Sequence, residues 1–389
     1  MNATCDAVVV GAGYIGCAAA YYLAAAGLRT ALLDRGGVGA GASRANYGNV
    51  QVQDAELTAS LPLVTAGFAC CEQLEDELGQ PVGYRRLGSL LTIETEAQWQ
   101  VMEARLPALH AAGISAELVP AGQLPEIEPL LNPAPLLGAC YHATEAQVYP
   151  FALLWAYLRR ARQHGLALHL HTELLGIEQA GGRVTGLQTS AGHISAPVIV
   201  LCTGAWTRPL GHLLGRNWEI PHVHGQVLLT EPAPRRLRCH ISSAAFFQAM
   251  HDAPDGETGD ASGAVLAVSQ TAHGHLLLGE AGTVTTDTGK ASTPGGQAAI
   301  AALMPRYFPW MRHLRVLRGW AAPVAFTADG LPFFGPVAGL DGLILATAFK
   351  STVIATPLAG QTVAQLVTTG RSDLNLSPFA PDRELADVH

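Results

Sequence analysis

The sequence predicts an α/β protein, with a discontinuous Rossmann-like domain and an inserted α+β domain built on an antiparallel sheet. Three observations lead to this prediction. The chain opens on a βαβ unit, with strands at residues 6–10 and 30–33. Similar buried strands recur much later, at residues 198–202 and 343–348. The segments between them contain short strands and turns, which are typical of a separate antiparallel sheet.

The first turn of the βαβ unit carries the pattern Gly11-Ala-Gly13-Tyr-Ile-Gly16, between a strand and a helix predicted at residues 16–26. Gly11 permits a tight turn, Gly13 lets the backbone approach a pyrophosphate, and Gly16 lets helix and strand pack closely. Asp34 ends the second strand, where an acid accepts hydrogen bonds from ribose hydroxyls. The arrangement predicts a dinucleotide site at the helix N-terminus. The pattern alone fits NAD as well as FAD.

The rest of the chain supplies the other predicted elements. Helices are predicted at residues 57–78, 96–112, 150–164, 293–308 and 356–369. Strands are predicted within 82–94 and at 167–171, 174–179, 184–189, 220–231 and 275–279, with a hairpin turn at 180–182. The proline-broken segment 120–135 and the Asp- and Gly-rich segment 252–263 are expected to be loops.

Composition narrows the class of protein. The 389 residues are 49% hydrophobic and only 14% charged, with a formal net charge of −8. The length suggests about two domains, and the chain is too apolar to be disordered. The acidic balance argues against nucleic-acid binding, which needs basic patches. Lysine is rare, because only Lys290 and Lys350 are lysines among 23 basic residues.

The uncharged stretch at residues 7–28 has the length of a membrane span, but its glycines and its strand signal indicate the βαβ unit instead. We expect no transmembrane segment and, because no basic segment precedes this stretch, no signal peptide. The seven cysteines are scattered without a C-x-x-C pair, which indicates free thiols and no metal site. We therefore expect a cytoplasmic protein, or one attached peripherally to the inner face of the membrane.

Several motifs, in chain order, resemble the D-amino-acid oxidase superfamily of FAD-dependent oxidoreductases, in its glycine-oxidase and sarcosine-oxidase branch. The segment GASRANYG at residues 41–48 resembles the second flavin signature of that family. Residues 200–206 resemble the strand and glycine turn that return to the flavin. Residues 224–226 are HGQ where the family has RGQ. Further resemblances lie at residues 273–279 and 320–332.

The C-terminal loop and helix, residues 349–366, resemble most the flavin (beta) subunits of heteromeric opine and D-hydroxyproline dehydrogenases. That resemblance implies partner subunits and an electron-transfer acceptor. If the enzyme is heteromeric, it also implies an additional FMN at a subunit interface.

The family resemblance implies an FAD-binding domain of the glutathione-reductase type. Its segments would be residues 1–84, 145–218 and 316–389. The substrate-binding domain would comprise residues 85–144 and 219–315.

The residues that would bind FAD follow from the same motifs. They are Gly11, Gly13, Tyr14, Ile15, Gly16, Asp34, Arg35, Ser43, Arg44, Asn46, Gly48, Leu174, Thr203, Gly204, Trp206, Gly330, Phe349, Lys350, Ser351, Thr352 and Val353.

The resemblance implies oxidation of the CH–NH bond of an amino acid or secondary amine, such as a D-amino acid, an opine or a hydroxyproline-like compound. In that family a hydride passes from the α-carbon to flavin N5, and the imine then hydrolyses. Two alternatives stay open. One is a flavin subunit of a multi-subunit dye-linked dehydrogenase that passes electrons to a partner. The other is an FAD-dependent hydroxy-acid dehydrogenase on the same scaffold.

One position departs from the family pattern. Val324 stands where related amino-acid oxidases carry the arginine that binds the substrate carboxylate. The candidate catalytic residues are therefore Lys350, Arg44 and His224. Lys350 lies in the loop that the resemblance puts at the pyrimidine end of the flavin. His224 and His222 alternate on a predicted strand and share one face, as pocket-lining residues or as ordinary strand histidines.

Overall fold

The computed structural model describes residues 2–52, 55–246, 264–285, 288–383 and 385. The loop predicted at residues 252–263 lies outside this part of the chain. The strands described are β1 (Asn2–Thr4), β2 (Ala7–Val10), β3 (Thr30–Asp34), β4 (Asn49–Val50), β5 (Arg85–Arg86), β6 (Ser89–Ile93), β7 (Ala116–Pro120), β8 (Gly138–His142), β9 (Ala146–Gln147), β10 (Ala167–Leu170), β11 (Leu174–Ala180), β12 (Arg183–Thr189), β13 (Gly192–Ser195), β14 (Ile199–Leu201), β15 (His222–Thr230), β16 (His240–Ser243), β17 (Ala264–Gln270), β18 (Leu276–Thr285), β19 (Val316–Ala325), β20 (Phe333–Pro336) and β21 (Leu343–Thr347). The helices described are α1 (Tyr14–Ala25), α2 (Ser60–Glu72), α3 (Leu74–Leu78), α4 (Glu96–Ala111), α5 (Leu124–Ile127), α6 (Pro150–Gln163), α7 (Thr207–Leu213), α8 (Pro294–Tyr307) and α9 (Thr352–Thr369).

A six-stranded sheet forms the nucleotide-binding unit, in the order β10-β3-β2-β14-β21-β20. All neighbours pair in parallel except β20 and β21. The two late strands predicted to rejoin the opening βαβ unit do so, because β14 lies between β2 and β21. The discontinuous α/β architecture is therefore confirmed.

Helix α1 packs between this sheet and α9. Ten of its residues are buried, and a Cβ on Gly360 of α9 would lie only 2.9 Å from the Cβ of Ala18. Small side chains on both helices permit this close approach. Burial on nearly every side explains why residues 7–28 carry no charge.

The second unit is an eight-stranded sheet, in the order β19-β15-β18-β17-β16-β6-β8-β7. Its pairs are antiparallel except β16 with β6. Helix α8 covers one face, where Ile300 and Met304 share a hydrophobic core with Leu228 and Leu278 of the sheet. This is the predicted inserted α+β unit.

One strand of the segment predicted for the FAD-binding domain pairs with the eight-stranded sheet. Residues 316–389 are predicted to belong to the FAD-binding domain, and β19 within them pairs with β15 from His222↔Ala325 to Thr230↔Val316. The hydrogen bonds of this edge strand therefore join it to the eight-stranded sheet. The chain returns to the six-stranded sheet only at β20.

The other predicted helices and strands agree with the structure except at their ends, whereas strands β7, β8, β16 and β17 and helix α7 have no predicted counterpart. The helices predicted at 96–112, 150–164 and 293–308 are α4, α6 and α8. The helix predicted at 57–78 is divided into α2 and α3, and it begins late because the Glu56 carboxylate accepts hydrogen bonds from the amides of Ala59 and Ser60. The predicted hairpin joins β11 to β12 through two glycines with positive φ. Within the described residues, none of the helices combines the length and the apolar character that crossing a membrane requires.

Candidate active site

The turn between β2 and α1 presses against the end of β14. Gly11 has φ +107°, and a Cβ there would lie 2.4 Å from the carbonyl oxygen of Cys202. A Cβ on Gly16 would lie 1.8 Å from the carbonyl oxygen of Gly11. No side chain fits at either position, as the fingerprint requires. The turn leaves the amino end of α1 without an acidic residue in its first turn.

Asp34 is held at the carboxyl end of β3 by two backbone amides. Its Oδ2 accepts from Ala12 N at 2.8 Å, and its Oδ1 accepts from Gly36 N at 2.7 Å. Leu174 begins β11, two residues after Thr172, whose backbone N donates to the carbonyl oxygen of Asp34. The acid and the glycine turn therefore share one end of the sheet, which is where a dinucleotide binds in this kind of fold.

The loop after β3 folds back onto the same turn. Ser43 Oγ accepts a hydrogen bond from Tyr14 N at 3.2 Å, and a Cβ on Gly13 would lie 3.0 Å from that oxygen. Asn46 Oδ1 accepts from Gly48 N at 2.7 Å. Backbone amides, a hydroxyl and the amino end of α1 thus surround a cradle that additional side chains would fill, and these groups fit the pyrophosphate and ribose of FAD.

A cluster of cations lies beside this loop. The guanidinium of Arg35 stacks over the Trp206 ring at 4.3 Å, and Lys290 Nζ lies 5.5 Å from the same ring. Lys290 Nζ also donates to the carbonyl oxygen of Ala40 at 2.6 Å. Burial lowers the pKa of Lys290, and the positive charges of Arg44 and Arg35 lower it further. The cluster therefore carries excess positive charge in a partly buried place.

Arg44 joins the cluster to the edge of the eight-stranded sheet. Its Nη2 lies 3.3 Å from the carbonyl oxygen of Ala321 and 3.4 Å from that of Lys290. Its Nε is buried and makes no hydrogen bond to any described residue. Burial lowers the pKa of Arg44, with a further contribution from Arg318. Sequence reasoning missed Lys290, for which the only signal was the rarity of lysine.

The remaining predicted residues gather at two other places. Thr203 Oγ1 is hydrogen-bonded to Thr207 Oγ1 at 2.7 Å, just before the turn that contains Gly204 and Trp206. Residues of the C-terminal loop line a small cleft beside α2, and Ser351 precedes Thr352 and Val353 at the start of α9. The cleft is lined by Gly330, Phe349, Lys350 and Ser351, together with Ala55, Glu56, Ser60, Leu63, Val64, Pro332 and Ala355.

The register of β15 shows which side chains lie on each face of the eight-stranded sheet. Gln226 faces α8, because its Oε1 accepts from Thr293 N at 2.7 Å, and His222 and His224 share that face by alternation. Val324 lies on the opposite face, where its Cγ2 would be 3.6 Å from a Cβ on Gly225. His224 and Val324 therefore lie on opposite faces of the sheet.

Comparison with known proteins places the chain in a family. The sequence profile of the family described as DAO, FAD dependent oxidoreductase, matches residues 6–366. The chain is 26% identical over 393 residues to the glycine oxidase of Geobacillus kaustophilus, covering 98% of each protein. It is 26% identical over 398 residues to one of the opine oxidase subunits of Agrobacterium tumefaciens, covering 97% of each. The L-proline dehydrogenase structure from P. horikoshii superposes with a TM-score of 0.86 at 21% identity, over 98% of both chains.

The profile match extends from the residue before β2 into α9, across both structural units. The glycine cradle, Asp34 and the returning loop meet the steric and polar requirements of FAD. The chain therefore belongs to the DAO family of FAD-dependent oxidoreductases, and FAD is its cofactor.

Proposed function

We propose that this enzyme oxidises the CH–NH bond of an amine or amino acid to an imine. The observation that carries the proposal is similarity over essentially the whole chain to a glycine oxidase and an opine oxidase subunit. The names of both relatives denote amino compounds. In support, hydride transfer from a neutral amine to FAD needs no acid–base pair on the protein, because the cofactor supplies the hydride acceptor.

The residues proposed to bind FAD form groups, each of which would contact one part of the cofactor. The amino end of α1 and the turn at Gly11 and Gly16 would bind the pyrophosphate, and Asp34 would bind the adenosine ribose. Residues 41–48, apart from Arg44, and residues 349–353 would hold the flavin ring. When bound, FAD supplies the group that accepts the hydride. The protein orients the substrate and excludes water from it.

We assign Lys290 and Arg44 to the phosphates of FAD, because both bring positive charge to the loop that folds over α1. Lys290→Met is expected to raise the dissociation constant of FAD about tenfold, as loss of one charge-assisted hydrogen bond would. The measurement is a fluorescence titration of apoenzyme with FAD. ADP affinity should fall in parallel while riboflavin affinity stays constant. Equal FAD affinity in the variant and the parent enzyme would show that Lys290 does not bind the phosphates of FAD.

Lys350, an exposed residue of the C-terminal loop, is assigned to the flavin ring. A cation there stabilises the electron-rich reduced ring, so Lys350→Met is expected to lower the midpoint potential of the flavin by about 30 mV. Dye-equilibration titration of the holoenzyme measures this potential. Lys290→Met is the matched control, since it changes the other lysine and should leave the potential alone. If Lys350→Met leaves the midpoint potential of the flavin unchanged, Lys350 has no role at the flavin ring.

A second candidate is that the chain works as the flavin subunit of a larger enzyme and passes electrons to a partner. The similarity to the opine oxidase subunit along 97% of each chain favours it. Exposed Val316 and Leu317 on β19 would suit an interface at that sheet edge. Purification of the tagged chain from its native cells tests this candidate, because a stoichiometric second subunit is expected. We also propose a cytoplasmic location, which the seven free cysteines support.

Anaerobic mixing of the yellow holoenzyme with candidate substrates tests the proposed activity. The set comprises D-amino acids, opines, D-hydroxyproline and simple secondary amines. At least one of them is expected to bleach the flavin absorbance rapidly and completely. Failure of every amine and amino acid to bleach it would overturn the proposal.

A further inference from the structure

Three polar side chains from three different strands meet beside the loop of residues 41–48. They are Asn49 of β4, His240 of β16 and Ser269 of β17. Asn49 Nδ2 lies 2.6 Å from His240 Nε2, and His240 Nδ1 lies 2.5 Å from Ser269 Oγ. Ser269 Oγ in turn lies 3.3 Å from Asn49 Oδ1. Each side chain therefore contacts the other two, and together they form a closed set of hydrogen bonds, which we call the polar ring.

With the Asn49 amide oriented in this way, one placement of protons satisfies the polar ring. The amide nitrogen of Asn49 only donates, so His240 Nε2 accepts and carries no proton. The imidazole proton lies on Nδ1 and is donated to Ser269 Oγ, whose own hydrogen is donated to Asn49 Oδ1. A second proton on the imidazole would place two N–H groups face to face, and burial lowers the pKa of His240 to about 3. The polar ring therefore holds His240 as a neutral imidazole.

The polar ring lies in the interior of the protein. His240 is 5% exposed and Ser269 is 1% exposed. Opening the ring at any one bond would leave a buried donor or acceptor unpaired, so its members depend on one another. Hydrogen bonds are directional, whereas apolar packing is not. The polar ring therefore fixes Asn49 in one position relative to β16 and β17.

Asn49 lies at the end of a loop that is assigned to the cofactor. Residues 41–48, which we call the flavin loop, are assigned to the flavin ring apart from Arg44, and Asn49 follows them directly. Strand β4 has only two residues and pairs with β9 through Asn49↔Gln147 and Val50↔Ala146. So short a strand is held weakly by its backbone alone. The side-chain bonds of Asn49 therefore contribute to holding the end of the flavin loop.

A second polar connection joins the flavin loop to β17. Gln147 Nε2 donates to the carbonyl oxygen of Tyr47 at 3.0 Å, and Arg85 Nη2 donates to Gln147 Oε1 at 2.5 Å. The same Arg85 nitrogen lies 3.2 Å from the carbonyl oxygen of Gln270. Gln270 follows Ser269, so both connections end at adjacent residues of β17. That strand belongs to the eight-stranded sheet, the sheet of the predicted substrate-binding domain.

We propose that Asn49, His240 and Ser269 are positioning residues. They hold the flavin loop against the eight-stranded sheet and so set where the flavin ring lies relative to the substrate. The three side chains act through the loop, and no chemical step is assigned to them. The proposal rests on the assignment of the flavin loop under the proposed function, and it is independent of which amine is oxidised.

Loss and rescue at Asn49 test this role. Asn49→Ala opens the polar ring, so the dissociation constant of FAD is expected to rise about tenfold and the flavin absorbance bands to shift. Asn49→Asp is expected to restore both. One aspartate oxygen would face His240 Nε2, which takes up a proton, and the other would still accept from Ser269, so the ring stays closed and neutral overall. Parent-like FAD binding in Asn49→Ala, or no restoration in Asn49→Asp, would overturn the proposal.

Ser269→Ala opens the same ring at another bond. The double variant with Asn49→Ala should therefore bind FAD as weakly as either single variant and no more weakly. Thr230→Val is the matched control, because it also deletes a buried hydroxyl of the eight-stranded sheet, one that accepts from Leu276 N at 3.1 Å. It should lower stability in urea without changing FAD affinity or the flavin spectrum. Additive losses in the double variant, or an equal loss in Thr230→Val, would contradict the role of the ring.

Nitrogen NMR of the parent holoenzyme tests the polar ring without any substitution that could impair folding. The enzyme is labelled with ¹⁵N-histidine, and the His240 signals are identified by their loss in His240→Gln or their change in Asn49→Asp. We expect a protonated Nδ1 and a bare Nε2 in the parent, and two protonated nitrogens in Asn49→Asp. A proton on Nε2 of the parent would overturn the proposal.

None of these measurements uses a substrate, so they are independent of the proposed activity. Their failure would leave CH–NH oxidation intact. Failure of every amine to bleach the flavin would overturn CH–NH oxidation and leave the polar ring intact.

Discussion

Replacing Gly16 by alanine is expected to give a protein that no longer retains FAD. The new Cβ would lie 1.8 Å from the carbonyl oxygen of Gly11 and 3.3 Å from the Cβ of Cys202. The first contact is with backbone, so relief requires that the turn between β2 and α1 open. We expect the FAD affinity to fall at least about 100-fold, because that turn forms the cradle. The bound FAD per chain, measured by absorbance after gel filtration, checks this result.

Gly295→Ala is the matched control. Gly295 is also a helical glycine near an amino end, in α8, and a Cβ there would meet no atom within 4 Å. It should retain one FAD per chain and gain slightly in stability, since alanine favours helix over glycine. Full FAD occupancy in Gly16→Ala would show that the β2–α1 turn does not hold the cofactor.

Phe334→Ala is expected to lower the free energy of unfolding by about 3–5 kcal/mol. Phe334 is 0% exposed in β20, and its ring meets that of Phe349 at 5.3 Å in an edge-on arrangement. Truncation leaves a cavity and removes the aromatic contact that supports the C-terminal loop. Urea unfolding of the holoenzyme, followed by circular dichroism, gives the loss. The exposed Phe151 provides the comparison, since Phe151→Ala should cost less than about 1 kcal/mol. Equal losses in the two variants would contradict this account of the β20 core.

The sequence was most informative where structure is local. The glycine pattern and the β-branched strands identified the βαβ unit, because each signal lies within one element. The strands now named β14 and β21 were recognised as its partners from their apolar composition alone. Such strands are buried on both faces, so their whole length is apolar.

What escaped prediction depends on contacts between distant segments. β19 was not predicted because it lacks the usual alternation of apolar and polar residues. It is an edge strand in which Val316 and Leu317 are both exposed. Lys290 donates a hydrogen bond to Ala40, which lies 250 residues earlier in the sequence, and no local sequence pattern predicts such a contact. The opposite orientation of His224 likewise follows only from register.

The most direct test of the central claim, that this FAD enzyme oxidises a CH–NH bond, is product analysis after one anaerobic turnover. After a substrate has bleached the flavin, the reaction is quenched with acid. The carbonyl product and the released amine are then quantified in the same sample. For an acyclic substrate, CH–NH oxidation predicts one carbonyl and one released amine for each flavin reduced, because the imine hydrolyses to both; a cyclic amine instead gives one product that carries both groups. A keto acid formed from a hydroxy acid, with the flavin reduced and no amine released, would contradict the account and assign the enzyme to alcohol oxidation.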